Sequence, residues 1–349
     1  MKKVLLGMSG GVDSSVSAIL LKQAGYEVFG VTLKLWEEGG CCNNSATLDA
    51  VKVCNQIGIK HYTLDYKELF CEKVVNNFIE SYSNCLTPNP CIECNKYLKF
   101  GAMYEKAKEL GIDYIATGHY AKTEYSEKYE RYVLKKSKNI KKDQSYVLYN
   151  MPKTLVGKVL FPLGDFNDKN DVREVARKNN LITASKHDSE DICFIPNGNY
   201  KQFLENNSSL KPKEGNIVNV KGEVLGKHKG LYYFTIGQRK GLGISYKEPL
   251  FVIGFNKVKN EVIVGTEKDI YKKEILVNDV NLLLMDELKE PIKVNVKTRY
   301  SSGEAEAIIE KLDDETIKVT FKQPQPRITP GQSAVFYIDD IVLGGGKIK

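Results

Sequence analysis

The chain has 349 residues, enough for two or three domains, each with its own core. Lys and Arg number 51 against 44 Asp and Glu, a net charge of +7 that permits a polyanionic partner without requiring one. No apolar run reaches the length of a membrane span. The apolar stretch of MKKVLL is too short for a signal peptide, and Asp13 interrupts it with no small-residue cleavage site, so the expectation is a cytoplasmic protein with no membrane attachment.

Residues 2–8 read as a buried strand and 14–24 as a helix. EVFGVTL at 27–33 is a second strand, 46–57 a second helix, KHYTLD at 60–65 a third strand and 67–83 a third helix. A fourth helix runs from Lys96 to Leu110 and ends at Gly111, and YIAT at 114–117 is a fourth strand. This alternation predicts an α/β domain with a doubly wound parallel sheet, whose ligands bind outside the carboxyl ends of the strands. SGGVDSS at 9–15 and TGHY at 117–120 fall at two of those ends.

Beyond about residue 207 the helical period fades. NIVNV at 216–220 and LYYFTI at 231–236 are separated by glycines. From about 275, KVNVK at 293–297, TIKVTF at 316–321 and SAVFYI at 333–338 alternate, with turn residues in SSG at 301–303 and in PGQ ending at Gln332. The expected division is an α/β domain at 1–206, a small central domain at 207–274 and a C-terminal antiparallel β-barrel or sandwich at 275–349. The basic run KKSKNIKK at 135–142 reads as an exposed loop.

Small residues in SGGVDSS let backbone N–H groups approach an anion, and the following helix adds its N-terminal dipole. The Walker pattern G-x-x-x-x-G-K-[ST] is absent. A Walker lysine serves chemistry at the γ-phosphate. A loop that holds the β- and γ-phosphates as a leaving group needs donors around pyrophosphate, with the α-phosphorus left open to attack. SGGVDSS resembles the PP-loop of the ATP pyrophosphatases, which cleave between the α- and β-phosphates and adenylate a substrate. Asp13 is then a candidate Mg²⁺ contact. The plainer reading of the same residues is a tight strand–helix turn with a serine N-cap.

The eight cysteines stand at 41, 42, 54, 71, 85, 91, 94 and 193. A chain of this size does not need disulfides, and the cytosol would reduce them. In TPNPCIECNK at 87–96, the pair Cys91 and Cys94 lies at the mouth of a helix, which favours thiolate. A zinc half-site and a thioredoxin-like exchange centre are the alternatives; zinc needs a second ligand pair, and the adjacent Cys41 and Cys42 are poorly spaced for one. Cys193 lies in DSEDICFIP at 188–196, whose short polar flank and Pro196 suggest a loop rather than packing. Cys54, Cys71 and Cys85 suggest no role.

A longer set of segments occurs in order: GMSGGVDSS at 7–15, TPNP at 87–90, CNK at 94–96, KFG at 99–101, ATGHY at 116–120, KDQSY at 142–146 and FPLG at 161–164. ICFI at 192–195, YFTIGQRKGLG at 233–243, TPGQ at 329–332 and LGGG at 343–346 follow. Over essentially its whole length the chain resembles the tRNA-specific 2-thiouridylases, a family with a PP-loop catalytic domain, a small central domain and a C-terminal β-barrel. The resemblance implies a tRNA-uridine 2-sulfurtransferase. ATP adenylates the C2 carbonyl oxygen of the wobble uridine at position 34, and sulfur then displaces AMP, with Cys94 as nucleophile and Cys193 as persulfide carrier. It places ATP, with Mg²⁺, on Gly7, Met8, Ser9, Gly10, Gly11, Val12, Asp13 and Ser14, with Leu33 and Gly118 on the adenine side. It places tRNA on Asn89, Pro90, Cys91, His119, Lys142, Asp143, Gln144, Arg299, Tyr300 and Gln332. The sulfur donor would be a cysteine desulfurase or a persulfide relay protein. The 135–142 run and Arg239 with Lys240 would meet tRNA phosphates, or form a solvated charged face.

One departure stands out. Many family members have aspartate where this chain has Cys91. Cys91, Cys94 and Cys193 could then ligate a [4Fe-4S] cluster instead of running a persulfide relay. Two further functions use part of the pattern: a PP-loop synthetase adenylating a small metabolite, and a non-catalytic RNA-binding protein with a zinc knuckle. The first leaves the thiols and the barrel unused; the second has no need of SGGVDSS.

Overall fold

Val4, Leu5 and Leu6 are fully buried because β1 (Lys3–Gly7) runs down the middle of a sheet covered on both faces. The computed structural model describes residues 1–36, 44–186, 192–195 and 198–349. After β1 come α1 (Val12–Gln23), β2 (Glu27–Lys34), α2 (Asn44–Ile57), β3 (Lys60–Asp65) and β4 (Tyr114–Ala116). The strands lie in the order β3-β2-β1-β4, all parallel, and a two-residue strand at Val159–Leu160 extends the β4 edge. Val4 and Leu6 face α1 and α2, whereas Leu5 and Val31 face the helices that follow β3. This is the expected doubly wound parallel sheet.

Two helices differ from expectation in an instructive way. The segment 67–83 is helical throughout but passes through a π-helical turn at Cys71–Val75. The fourth helix starts at Pro90 instead of Lys96, and its middle, Asn95–Ala102, is π-helical before α geometry resumes at Met103–Glu109. The Asn89 side chain caps its start by accepting from the Cys91 N–H at 3.2 Å, with Pro90 at the first helical position. Wide turns need room: a Cβ on Gly101 would come within 3.1 Å of the Lys96 carbonyl oxygen, five residues back.

An antiparallel hairpin, Ala121–Ser126 with Arg131–Lys136, was not expected. It leaves the first domain and pairs with the last strand of the chain, Lys135 opposite Ile341. The run 135–142 is therefore only partly an exposed loop. Lys135 is paired with Glu124 and Asp340, Lys136 with Glu304, and Ser137 and Asn139 are buried.

The central segment forms a four-stranded sheet from Gly215–Asn219, Val224–His228, Phe251–Asn256 and Glu261–Gly265. LYYFTI is not a strand. Tyr232 and Tyr233 stack on each other at 4.6 Å within a single 3₁₀ turn, so consecutive side chains share a side instead of alternating.

The C-terminal six strands close into an antiparallel barrel, because Tyr271–Leu282 pairs with both Ile317–Pro326 and Ile341–Ile348. Strand Ser333–Ile338 is buried on both faces. Ala334 and Phe336 fill the barrel, while Val335 and Tyr337 join Leu98, Phe100, Tyr146 and Tyr149 in the core of the first domain. Among the described residues no helix is long and apolar enough to cross a membrane.

Candidate functional site

A cavity of about 230 Å³ opens at the carboxyl ends of β1, β2 and β4. Its walls include Gly7, Met8, Ser9, Asp13 and Ser14 from the first turn, Leu33 from β2, and Thr117, Gly118, His119 and Gln144 beyond β4. Lys99 and Met103, from the fourth helix, complete it. A larger hollow of about 560 Å³ lies on the barrel wall, but none of the expected site residues lines it. The smaller one occupies the strand ends, where sheets of this kind take ligands.

The turn into α1 is shaped by glycine. Gly10 has φ +69°, and a Cβ there would overlap the Ala46 carbonyl oxygen at the start of α2. Gly11 precedes the helix, and no side chain caps it. The serines donate backwards: Ser15 Oγ to the Gly11 carbonyl at 2.8 Å, and Ser17 Oγ to the Asp13 carbonyl at 2.8 Å. A serine N-cap is thus not what the turn uses, and its first N–H groups are left for an anion. Val12 turns its side chain into the core and offers only backbone. Gly118 lies so close that a Cβ would stand 3.0 Å from the Asp13 carbonyl carbon and the Ser14 nitrogen.

Lys169 Nζ donates to both carboxylate oxygens of Asp13 at 2.6 Å, and the Tyr120 hydroxyl donates to one at 2.9 Å. Asp13 is thus one half of an ion pair with Lys169. Lys186, similarly, ties the Gly10 carbonyl to Asp49, 2.9 Å from each.

On the thiol side, Cys91 is exposed and Cys94 buried, about one turn apart on the short helix Pro90–Cys94. Cys193 is half-buried against the same core that contains Cys94. Its neighbour Phe194 is fully buried, edge-on to Phe70 and Phe78 at 5.5 Å each and to Phe203 at 5.1 Å, which anchors the segment. Among the described residues no three His, Cys, Asp or Glu side chains gather as a metal-holding group. Cys54 is a core thiol, its pKa pushed up to about 12 by burial. Burial also raises that of Cys85. Cys41, Cys42 and residues 188–191 and 196 of DSEDICFIP lie outside the described residues.

The barrel reaches the thiol helix through TPGQ. The Thr87 N–H donates to the Pro330 carbonyl at 3.0 Å, and Gln332 Nε2 donates to the Thr87 carbonyl at 2.8 Å. From the last strand, Lys347 pairs at 3.1 Å with Glu93, a buried carboxylate between the two cysteines. Tyr300 keeps part of its ring exposed on the barrel while the rest packs at 6.2 Å against Tyr146, and this partial burial, then Asp143 and Cys91, raises its hydroxyl pKa.

The remaining expected tRNA residues are placed variously. Lys142 is exposed and Pro90 buried. Asp143 is buried and accepts from the Ser137 N–H at 2.9 Å and Ser145 Oγ at 2.7 Å, and burial raises its pKa. It shapes its loop and presents no carboxylate outward. Gln144 lines the cavity and accepts from the Tyr120 N–H at 2.9 Å. Arg299 points inward, donating to the Ile236 carbonyl at 2.9 Å and to Thr329, with Nε buried and unpartnered by protein. His119 bonds Thr117 and Lys99 inside the cavity wall. Residues the sequence reading gave no role are Lys99, Lys169, Tyr120, Glu93 and Lys347. Lys99 was visible within KFG; the partners of the others lie too far off in sequence to signal them.

A parallel sheet whose glycine–serine turn lacks the Walker lysine, opening on a cavity at its strand ends, defines a PP-loop nucleotide-binding domain. The tRNA methyl transferase HUP domain model matches residues 2–197, the tRNA methyl transferase PRC-barrel domain 201–266 and the aminomethyltransferase beta-barrel domain 272–348. The chain is 49% identical over 355 residues to the tRNA-specific 2-thiouridylase MnmA of Clostridioides difficile (strain 630), covering 100% of this chain and 98% of that one. It is 46% identical over 357 residues to the tRNA-specific 2-thiouridylase MnmA of Acetivibrio thermocellus, covering 100% and 99%. The chain belongs to the tRNA-specific 2-thiouridylase MnmA family.

Proposed function

We propose that this protein is a cytoplasmic, ATP-dependent tRNA-uridine 2-sulfurtransferase acting on the wobble uridine at position 34. One observation supports this above the others. The helix that begins with Cys91 and Cys94 supplies Lys99 and Met103 to the wall of the nucleotide cavity. The thiol pair and part of the cavity wall are therefore carried by one continuous helix, Pro90–Glu109.

In this reading residues 1–206 are the catalytic domain, 207–274 the central domain and 275–349 a tRNA-contacting barrel. Gly7 to Ser14, with Leu33 and Gly118, hold ATP; Mg²⁺ enters with the triphosphate. The uridine O2 bonds to the α-phosphorus, the bond to pyrophosphate breaks and the N3 proton leaves to water. The terminal sulfur of a persulfide on Cys193 attacks C2 and AMP departs. Cys94 thiolate then attacks the Cys193 sulfur, releasing 2-thiouridine and leaving a Cys94–Cys193 disulfide, which an external thiol reduces before a cysteine desulfurase or relay protein reloads Cys193. The wobble base is splayed out of its loop to reach the site, as single-stranded RNA targets are. Tyr300, exposed beside Cys91, is a stacking surface for it. Asn89, Pro90, Cys91, His119, Lys142, Gln144, Arg299 and Gln332 frame or support that surface, and Asp143 acts through its loop.

The test is single-turnover reaction of persulfide-loaded protein with ATP and tRNA, following pyrophosphate, AMP and 2-thiouridine. Cys94→Ser and Cys193→Ser should abolish 2-thiouridine while keeping ATP binding, and Cys91→Ser should retain much of the activity. Loss of activity in Cys91→Ser, with stoichiometric iron in anaerobically purified wild type, would move the assignment to the [4Fe-4S] alternative. Absence of tRNA-dependent pyrophosphate release from the wild type would remove the function itself.

A further inference from the structure

We propose that Lys99 is a catalytic residue of the adenylation step, its ammonium group aimed at the α-phosphate by His119, which serves as a positioning residue. This deepens the sulfurtransferase reading and rests on it. Lys99 is the one lysine or arginine among the described residues lining the nucleotide cavity. The nearby cation Lys169 is committed to both oxygens of Asp13.

The hydrogen bonds assign the tautomer of His119. Lys99 Nζ lies 3.4 Å from His119 Nε2, and an ammonium group can only donate, so Nε2 is the acceptor. The ring is then neutral and carries its proton on Nδ1, which donates to Thr117 Oγ1 at 2.7 Å. Burial, and secondly the Lys99 charge, hold the pKa of His119 well below its ordinary value, in keeping with a neutral ring. Phe161 meets the ring edge-on at 6.3 Å and fixes its plane. One proton of Lys99 is spent on this contact, and among the described residues no carboxylate is paired with the ammonium group. Its other protons are available to a ligand in the cavity.

Lys99 shares the cavity wall with the phosphate loop and stands on the helix that begins with Cys91 and Cys94, so its free end serves the α-phosphate if SGGVDSS holds the pyrophosphate end. As the O2–phosphorus bond forms and the bond to pyrophosphate breaks, charge gathers on the α-phosphate oxygens. A fixed ammonium group there stabilises that charge without reorganising. The same contact then holds the phosphate of AMP while sulfur displaces it.

The experiment measures tRNA-dependent pyrophosphate release in single turnover at saturating ATP, alongside the dissociation constants of ATP and tRNA. Lys99→Met should slow release by about 100- to 1,000-fold while both dissociation constants change by less than about 10-fold. Lys99→Arg should lose less, because the charge remains. His119→Phe should slow release by about 10-fold, and the double variant should be no slower than Lys99→Met alone, since His119 acts through Lys99. A purely structural histidine would give additive losses, which would overturn its positioning role. Normal release from folded Lys99→Met, or a loss confined to tRNA binding, would overturn the role of Lys99. Should methionine unfold the protein, Lys99→Gln carries the same test. Wild-type protein without any tRNA-dependent release would instead sink the underlying function.

Discussion

Gly10 and Gly331 both sit at positive φ, +69° and +88°, and at both a Cβ would strike a distant segment. At Gly10 that segment is the start of α2, within the first domain. At Gly331 it is Leu86 and Thr87, 2.8 and 2.9 Å away across the junction between barrel and thiol helix. The phosphate loop is therefore shaped by its own domain. The thiol helix has its approach loop set from outside, by Gln332 and Pro330 on Thr87 and by Lys347 on Glu93. If the proposed half-reactions fall where they are assigned, they rest on different parts of the chain, and the barrel supports the sulfur half through the loop into the thiol helix.

Removing the barrel breaks this comparison most severely. A clean loss of tRNA affinity with ATP binding preserved would require separable domains. Leu283, Val335, Tyr337 and Val342 instead share a core with Leu98, Phe100, Tyr146 and Tyr149. Deleting residues 275–349 should leave the first domain without cooperative unfolding, because large apolar side chains lose their partners. A truncated protein with an unchanged melting transition would show that the shared core is dispensable.

The two glycines sharpen it. Gly10→Ala adds strain at positive φ and a backbone overlap, a cost of about 3 kcal/mol. It should reduce pyrophosphate release and thiolation together. Gly331→Ala should reduce thiolation about tenfold or more at saturating ATP and leave the ATP dissociation constant within about twofold. Equal losses of ATP binding in both variants would mean that the two halves are not separately supported.

How much of this was readable beforehand follows the same division. SGGVDSS was legible because strand, turn and helix N-terminus are adjacent, and the barrel strands because their alternation is strong. The start of the thiol helix was misplaced by six residues, since a proline and two cysteines carry no helical period; the Asn89 cap and Pro90 were the overlooked signals. The hairpin at 121–136 was missed because its turn is charged and its partner, Ile341, lies about 200 residues away. The pairing of Lys169 with Asp13 spans 156 residues, and no local pattern reports it.

The smallest expected effect is on pH-dependent stability, and it reports on both halves at once. His61 beside β2, His119 in the cavity and His228 in the central sheet all have pKa values held below the ordinary 6.5, in each case chiefly by burial. A histidine depressed in the folded state takes up its proton more readily when unfolded. Stability is therefore fully present above about pH 6.5 and is lost as pH falls from there toward the folded values. Asp143 has the opposite sense: burial raises its carboxyl, so its contribution to stability grows as pH falls, and an Asp143→Asn background removes it from the measurement. Chemical denaturation between about pH 7.5 and pH 5.5 should show stability falling with acidity, with a shallower fall in His119→Phe. Stability that held level or rose over that interval would show that the three rings are not neutral in the folded protein, and the acceptor role of His119 toward Lys99 would fall with it.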